Sequence, residues 1–475
     1  MQDRTGYVVW LIIAIAVVAL FLAWQYSGYR LTSRTLPTGV TMAGLPVGGK
    51  TPAQALNALE VAFATPLKVH YQDRTLSLGP SVVELHYDAD QTAANLDSAL
   101  ADWRGLDGFI SHIVRREHPP TSVPVAVTYS EERLSHFLDR VANRYDGPPQ
   151  AAIALPDALD FRPGRPGLSL DIDASRARLA DALVSASIAE VDLVVEVDEP
   201  ATRDLDLLRP LLQSQLDEHP GLIAGIFVKD LQNGDELAIN GEVAYAGLSV
   251  LKIAVVEEVY RSLDEPPDPQ VTSLISQTMT ESDNLTANLL LRDVVGDGDG
   301  GRAVERLTAS MRRLGLVNTY MAAPYDKKDV APDIVTPANS RTDISTEPDP
   351  FIQTTPLDIG LLLEMIYQCS HGGGALIMTY PDDLRPEECQ EMIKWMSQNR
   401  IDSLIEAGVP ADTQVAHKHG WTSDTHADAG LLFTPGGDFV LVIFLHRIQW
   451  LEWEESAPLF VDISTATYNY FNPSP

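Results

Sequence analysis

Three short polar sets, Ser249-Val250-Leu251-Lys252, Ser282-Asp283-Asn284 and Lys418-His419-Gly420, constrain this chain more than any other feature. In this order they make a candidate acyl-transfer site. A fold that uses them must bring a helix start, a loop and a strand edge to one point. A serine hydroxyl is a poor nucleophile at neutral pH and needs a base within hydrogen-bond reach. Lys252 lies three positions past Ser249 in a helix-like apolar run, so the two share a face, about 5 to 6 Å apart at Cβ level. Burial and crowding by Lys418 both disfavour the ammonium form and draw the Lys252 pKa toward a useful value.

Roles follow from the residue types. Ser249 is the candidate nucleophile, Lys252 its base, and Ser282 the shuttle that carries the proton to the leaving group. Asn284 is placed to hold the lysine and a substrate amide, Asp283 to fix the loop backbone, and Asn288 to support the site from the next helical turn. Lys418 is expected to anchor a substrate carboxylate, with His419 and Gly420 beside it and the following strand free to pair with an extended substrate. The backbone N–H groups of Ser249 and Trp421 are assigned to the developing oxyanion, where loss of one donor typically costs roughly 3 kcal/mol. Taken singly, each set reads as a cap, a turn or a solvated strand edge. Their joint order is what carries the case.

A chain of 475 residues exceeds one average domain, and about 150 residues per domain suggests roughly three units, or two with one large. With 45% hydrophobic and 21% charged residues it is a folded globular chain. Against 34 basic residues stand 66 acidic ones, a net charge of −32. Such a polyanion is unsuited to nucleic acid, whose binding needs Lys and Arg to replace counterions, and equally to an anionic membrane face. Contact with a lipid bilayer therefore needs a dedicated element, and the unbroken apolar run Val8 to Trp24 supplies one, about 25 Å long as a helix. The run is long for a signal peptide, and Gln25 to Arg30 contains no small-x-small cleavage pattern, so an uncleaved single-pass anchor in the cell membrane is expected. Asp3 and Arg4 nearly cancel before it while Arg30 and Arg34 follow it, a balance that does not favour an outside C-terminus. An extracytoplasmic catalytic domain is expected on functional grounds instead.

Cys369 and Cys389 give neither a disulfide framework nor a metal set. They are expected to lie free in a core, with a single bridge between neighbouring helices as the alternative in an oxidising compartment. No metal or organic cofactor is expected.

The expected organisation is an anchor at 1–30, a first α+β unit at 31–120, a second at 121–202 and a catalytic domain at 203–475. A helix over Pro52 to Ala64, capped by Thr51, follows a glycine-rich stretch. A weak internal duplication then sets Asp88 on Asp171, Asp90 on Asp173, Leu96 on Leu179 and Leu100 on Leu183. Two carboxylates per set and no glycine-containing loop make these helix caps rather than calcium ligands. Val191 to Glu199 reads as one strand, and a helix runs from Asp204 to about His219. Leu222 to Asp230 and Glu236 to Asn240 flank an Asn233-Gly234 hairpin turn. Further strands are expected at Gln414 to His417, Ala429 to Thr434 and Phe439 to Leu445, with a last helix near Pro458 to Tyr470. The fold class is α+β, an antiparallel sheet flanked by helices.

Residues from about 204 to 475 resemble the class A β-lactamase and penicillin-binding protein superfamily, whose S-x-x-K, S-D-N and K-[ST]-G motifs match the three sets. The likeness extends to Phe227-Val228-Lys229-Asp230, Thr286-Ala287-Asn288-Leu289-Leu290 and His426-Ala427-Asp428-Ala429-Gly430. It implies acylation of Ser249 by β-lactams or by peptidoglycan peptides ending in D-alanine. Two positions depart from the pattern. His419 stands where a Thr or Ser hydroxyl would bind the substrate carboxylate. No E-x-x-L-N set, which would activate the deacylating water, occurs between Met321 and Pro356, where Glu347 is the nearest carboxylate. Residues from about 37 to 200, with Gly39-Val40 and Gly44-Leu45-Pro46-Val47-Gly48-Gly49, resemble the peptidoglycan-binding modules of vancomycin-resistance W type proteins. That likeness implies a cell-wall partner, and a spacer that holds the catalytic domain off the membrane is equally consistent. A D-alanyl-D-alanine carboxypeptidase and a non-catalytic wall-binding protein are the alternative functions.

Overall fold

Side-chain oxygens start several of the helices in the first 200 positions. Thr51 accepts from the Gln54 N–H while the Gln54 side chain accepts from Thr51, opening the helix Pro52–Ala64. Asp88 accepts from Gln91 N at the head of Ala89–Ala99, and Asp171 from Ala174 N at the head of Ile172–Leu183. The first aspartate of each duplicated pair thus acts as a cap, whereas Asp90 and Asp173 lie within the first helical turn.

The structure, a computed structural model, describes residues 3–116, 119–200, 204–327, 330, 333–399, 401 and 403–473. It divides into two compact units, 1–150 with 165–200, and 151–164 with 201–475. In the first, the helix Asp3–Thr32 contains a span, Tyr7–Thr32, long and apolar enough to cross a membrane. Its Tyr29 is buried within the same unit, where its hydroxyl donates to Trp103 O at 2.7 Å. The stretch read as one strand over Val191 to Glu199 is two. Glu190–Asp192 runs parallel to Leu67–Tyr71, and Val195–Asp198 antiparallel to Gly167–Leu170. The break falls at Val194, whose N–H donates to Ser175 Oγ and whose carbonyl accepts from Asp171 N, so helix-start groups take the bonds a continuous strand would use.

Residues 151–164, grouped by the duplication pattern with the second repeat, fold with 201–475. Their hairpin carries Phe161, fully buried and edge-on to Tyr470 at 5.5 Å, and Leu159 O accepts from Asn469 Nδ2 at 2.8 Å.

In this second unit a helix, α1 (Arg209–Asp217), precedes the hairpin β1 (Ile223–Asp230) and β2 (Glu236–Ile239). The helices α2 (Lys252–Arg261), α3 (Asn284–Leu290), α4 (Pro356–Ser370) and α5 (Pro386–Met396) follow. Strands β3 (Gln414–Trp421), β4 (Thr425–Phe433) and β5 (Phe439–His446) and the helix α6 (Trp453–Phe471) complete it. The sheet is antiparallel in the order β2-β1-β5-β4-β3, leaving β3 at an edge. Every residue of β5 is buried because both faces are covered. Leu211, Leu212, Phe460 and Ile463 of α1 and α6 pack on one face, and Val255, Val259, Leu362, Leu363 and Met392 of α2, α4 and α5 belong to the core on the other. At Gly360 a Cβ would lie 2.1 Å from the Phe227 ring, so only glycine lets α4 approach the sheet this closely. Pattern reading shortened several elements: β3 continues through Lys418 to Trp421, β4 starts at Thr425, and α6 starts at Trp453 with Pro458 inside it.

Cys369 and Cys389 are not free, contrary to expectation. They form a disulfide between α4 and α5 with their Cα atoms 5.9 Å apart. Closing a loop of this length contributes about 3 kcal/mol in the chain-entropy account.

Candidate active site

The segment after β2 reaches Ser249 through a 3₁₀ turn, Leu248–Leu251, which runs directly into α2. Lys252 thereby sits one turn below the serine, fully buried. Its Nζ lies 3.0 Å from Ser249 Oγ, 2.6 Å from Ser282 O, 2.8 Å from Asn284 Oδ1 and 3.3 Å from Ser282 Oγ. The Ser282 carbonyl and the Asn284 amide oxygen are obligate acceptors. A neutral Lys252 gives its two N–H groups to them, and its lone pair is left facing Ser249. Burial is the main reason its pKa falls to about 8, against the opposing pull of Asp283 and Asp326.

Ser282 owes its position to a left-handed backbone, φ +57°, costly for a residue with a Cβ. That conformation turns both its carbonyl and its hydroxyl to Lys252. Asp283 then caps α3 by accepting from Thr286 N, which points Asn284 at the lysine. Asn288, one turn on, grips the backbone of Tyr325 in both directions at 2.8 Å. The buried Tyr325 ring lies under Lys252 Nζ at 4.8 Å, and its hydroxyl donates to Leu248 O.

Lys418 comes from β3. It is also fully buried, and its Nζ donates to Ser282 Oγ at 2.9 Å and to His419 O at 3.1 Å. Burial first, then the neighbouring Lys252 charge, lower its pKa to about 7. Lys418, the expected carboxylate anchor, thus faces Ser282 Oγ, and the two lysines share one hydroxyl.

Strand register settles the direction of the β3 amides. Thr422 N donates to Thr425 O, and Trp421 stands opposite His426. Hydrogen-bonded and non-bonded pairs alternate in an antiparallel ladder. The N–H and C=O groups of Trp421 and His419 therefore point off the free edge of β3, as the bonds from Lys418 to His419 O and from Asn399 to His417 O require. Gly420 brings this edge against the serine: a Cβ there would lie 2.5 Å from Ser249 N. The strand that contains Lys418, rather than one after it, presents the edge.

His419 is buried, accepts from Asn399 Nδ2 at 3.1 Å through Nδ1, and stacks on Trp421 with ring centroids 5.2 Å apart at 11°. Burial, then Lys418, depress its pKa to about 4, so the imidazole is neutral with its proton on Nε2. Behind it, burial opposes protonation of His417, but Asp428 at 2.9 Å and Asn399 O at 2.8 Å outweigh burial and raise its pKa.

Three contributors escaped the sequence reading. Asp326 Oδ2 accepts from Asn284 Nδ2 at 3.2 Å, which takes one of the two N–H groups of the amide expected to meet substrate. Glu347, the carboxylate singled out from the sequence, is exposed at φ +48° and has no hydrogen bond to this cluster. Tyr325 and Asn399 are the other two. Asp326 and Tyr325 lie in an irregular stretch where no periodicity or spacing marks them. Asn399 lies well before β3, past an intervening 3₁₀ turn, and no spacing marks it either.

Residues 261–471 match the β-lactamase enzyme family. The match contains Ser282, Asn284 and Lys418 and starts beyond Ser249 and Lys252. A point mutant of PBP-A, solved as an acyl-enzyme complex with penicillin G, is similar at 20% identity over 57% of this chain and 99% of its own, with a TM-score of 0.44. An ancestral class A β-lactamase gives 22%, 55%, 99% and 0.41, and a β-lactamase from Xanthomonas campestris gives 20%, 56%, 98% and 0.41. No curated protein matches the chain. The second unit has a β-lactamase-like fold.

Proposed function

We propose that this protein is a serine acyl-transfer hydrolase that forms a covalent acyl-enzyme on Ser249 with β-lactams or related amides. The observation that carries the reading is the pairing of Ser249 Oγ with a buried Lys252 whose other hydrogen-bonding directions end on fixed acceptors. Neutral Lys252 takes the hydroxyl proton as Oγ attacks the carbonyl carbon. The N–H groups of Ser249 and Trp421 stabilise the oxyanion. The proton returns through Ser282 Oγ to the leaving nitrogen as the C–N bond breaks, and water then releases the acid. His419 Nε2–H is the donor that replaces the missing hydroxyl toward a substrate carboxylate.

A specific observation favours slow release, the behaviour of a penicillin-binding enzyme or D-alanyl-D-alanine carboxypeptidase. Among the described residues no carboxylate is hydrogen-bonded to Ser249 or Lys252, and Asp326 reaches only Asn284. The disulfide favours an oxidising compartment, hence a catalytic unit outside a membrane anchored by Tyr7–Thr32, with peptidoglycan as the natural source of substrate. Intact mass after incubation with benzylpenicillin tests this. A stable adduct absent from Ser249→Ala supports the penicillin-binding form, rapid turnover the β-lactamase form. No adduct and no turnover contradict both and leave the wall-binding scaffold.

A further inference from the structure

The turn that follows Trp421 is braced by the loop after β5. Arg447 N donates to Asp424 O at 2.9 Å and Leu451 N to Ser423 O at 2.8 Å, so the loop is clamped at both ends. The Arg447 guanidinium pairs with Glu455 and donates to Pro220 O, and the Leu451 side chain is buried. Between the clamps Gln449 is held at φ +76°. Ile448 and Trp450 on either side of it are 60% and 58% exposed, and Trp421 on the adjoining strand end is 53% exposed. Burial does not account for these apolar side chains on a clamped, strained loop, and clustered exposed apolar groups are candidates for a binding surface.

Trp421 ties this patch to the chemistry. Its ring is fixed by the stack on His419 and an edge contact to Trp453 at 5.5 Å, while its own N–H faces the edge beside Ser249. A carbonyl held there has two ways to extend along β3: toward Lys418 and Ser282, which are polar, or past Trp421 toward the 447–451 loop. We propose that Trp421, Ile448 and Trp450 form a recognition shelf for an uncharged ring or aliphatic group on one arm of the acyl donor. The proposal rests on the hydrolase reading and adds the substrate class. Asp424 lies in the turn, and Glu452 and Glu454 at the start of α6 follow the loop; their charge disfavours an anionic lipid or phosphate as the occupant.

Acylation of the full chain by S-methyl thioesters, followed by intact mass, compares phenylacetyl with acetyl. A second series compares benzyl with methyl thiol at constant acetyl. In one of the two series the ring-bearing donor should react about tenfold faster, a ratio that a well-filled apolar subsite reaches. Trp450→Ala and Ile448→Ala should lower that ratio several-fold, and Trp450→Phe should retain it. Both positions are exposed, so a melting curve confirms that folding is intact. Acylation with no ring preference in either series, or with a preference that both alanine variants retain, overturns the shelf alone. Failure of every donor to acylate Ser249 overturns the hydrolase reading and the shelf together.

Discussion

Helix α2 buries Lys252 and Glu257 five positions apart, about 140° around its axis, and treats them in opposite ways. Lys252 meets four polar atoms, and its pKa falls to about 8. Glu257 is just as buried and neither of its carboxyl oxygens has a hydrogen-bond partner. Burial, then Glu258, push its pKa well above the carboxylate range, while Arg261 pulls only weakly the other way, being engaged with Glu258 itself. The difference shows what makes a buried charge useful. Acceptors around Lys252 fix which proton is missing and where its lone pair points, whereas Glu257 has only a desolvation penalty and avoids it by staying protonated.

The largest expected effect lies on the Lys252 side. Ser249→Ala abolishes any covalent adduct, read by intact mass. Lys252→Ala leaves the hydroxyl without its base and lowers the acylation rate by about 10³, within the usual range for a general base, measured by single-turnover kinetics. Ser282→Ala removes the hydroxyl the two lysines share and costs about 10² in the same assay, with a larger share of the loss for substrates whose leaving nitrogen must be protonated.

On the Glu257 side the effect is on stability. Glu257→Leu replaces an unpartnered polar group by an apolar one and raises stability by about 1 to 3 kcal/mol, measured by denaturant unfolding at pH 8, with acylation kept. The sign follows from linkage. The folded pKa lies above the unfolded one, so the folded state holds a proton that the unfolded chain has lost. Stability is full below the carboxylate range and declines as pH rises through the folded value, and Glu257→Leu removes that decline. The smallest effect sharpens the comparison. Asp326 raises the Lys252 pKa, so Asp326→Asn should move the midpoint of the acylation profile downward by a fraction of a unit.

Legibility in the sequence followed chain separation. Thr51, Asp88 and Asp171 were readable as caps because a cap and its helix are adjacent. The three polar sets were readable because each is local and their order is distinctive. What failed needed contacts that pattern cannot encode. Cys369 and Cys389 lie on two helices whose packing decides whether they meet, and Val194 ends a strand because Ser175 and Asp171 claim its backbone. Asp326 reaches Asn284 from a loop without periodicity. The contact of Lys418 with Ser282 also depends on packing, which its place on a strand does not encode.

The central claim is that neutral Lys252 deprotonates Ser249, and the pH dependence of Ser249 acylation in the full chain tests it most directly. The account predicts a rate that is low at pH 6, rises through about pH 8 as Lys252 loses its proton, and loses this rise in Lys252→Ala. A rate that is flat across that range, or a rise that survives in Lys252→Ala, would contradict it.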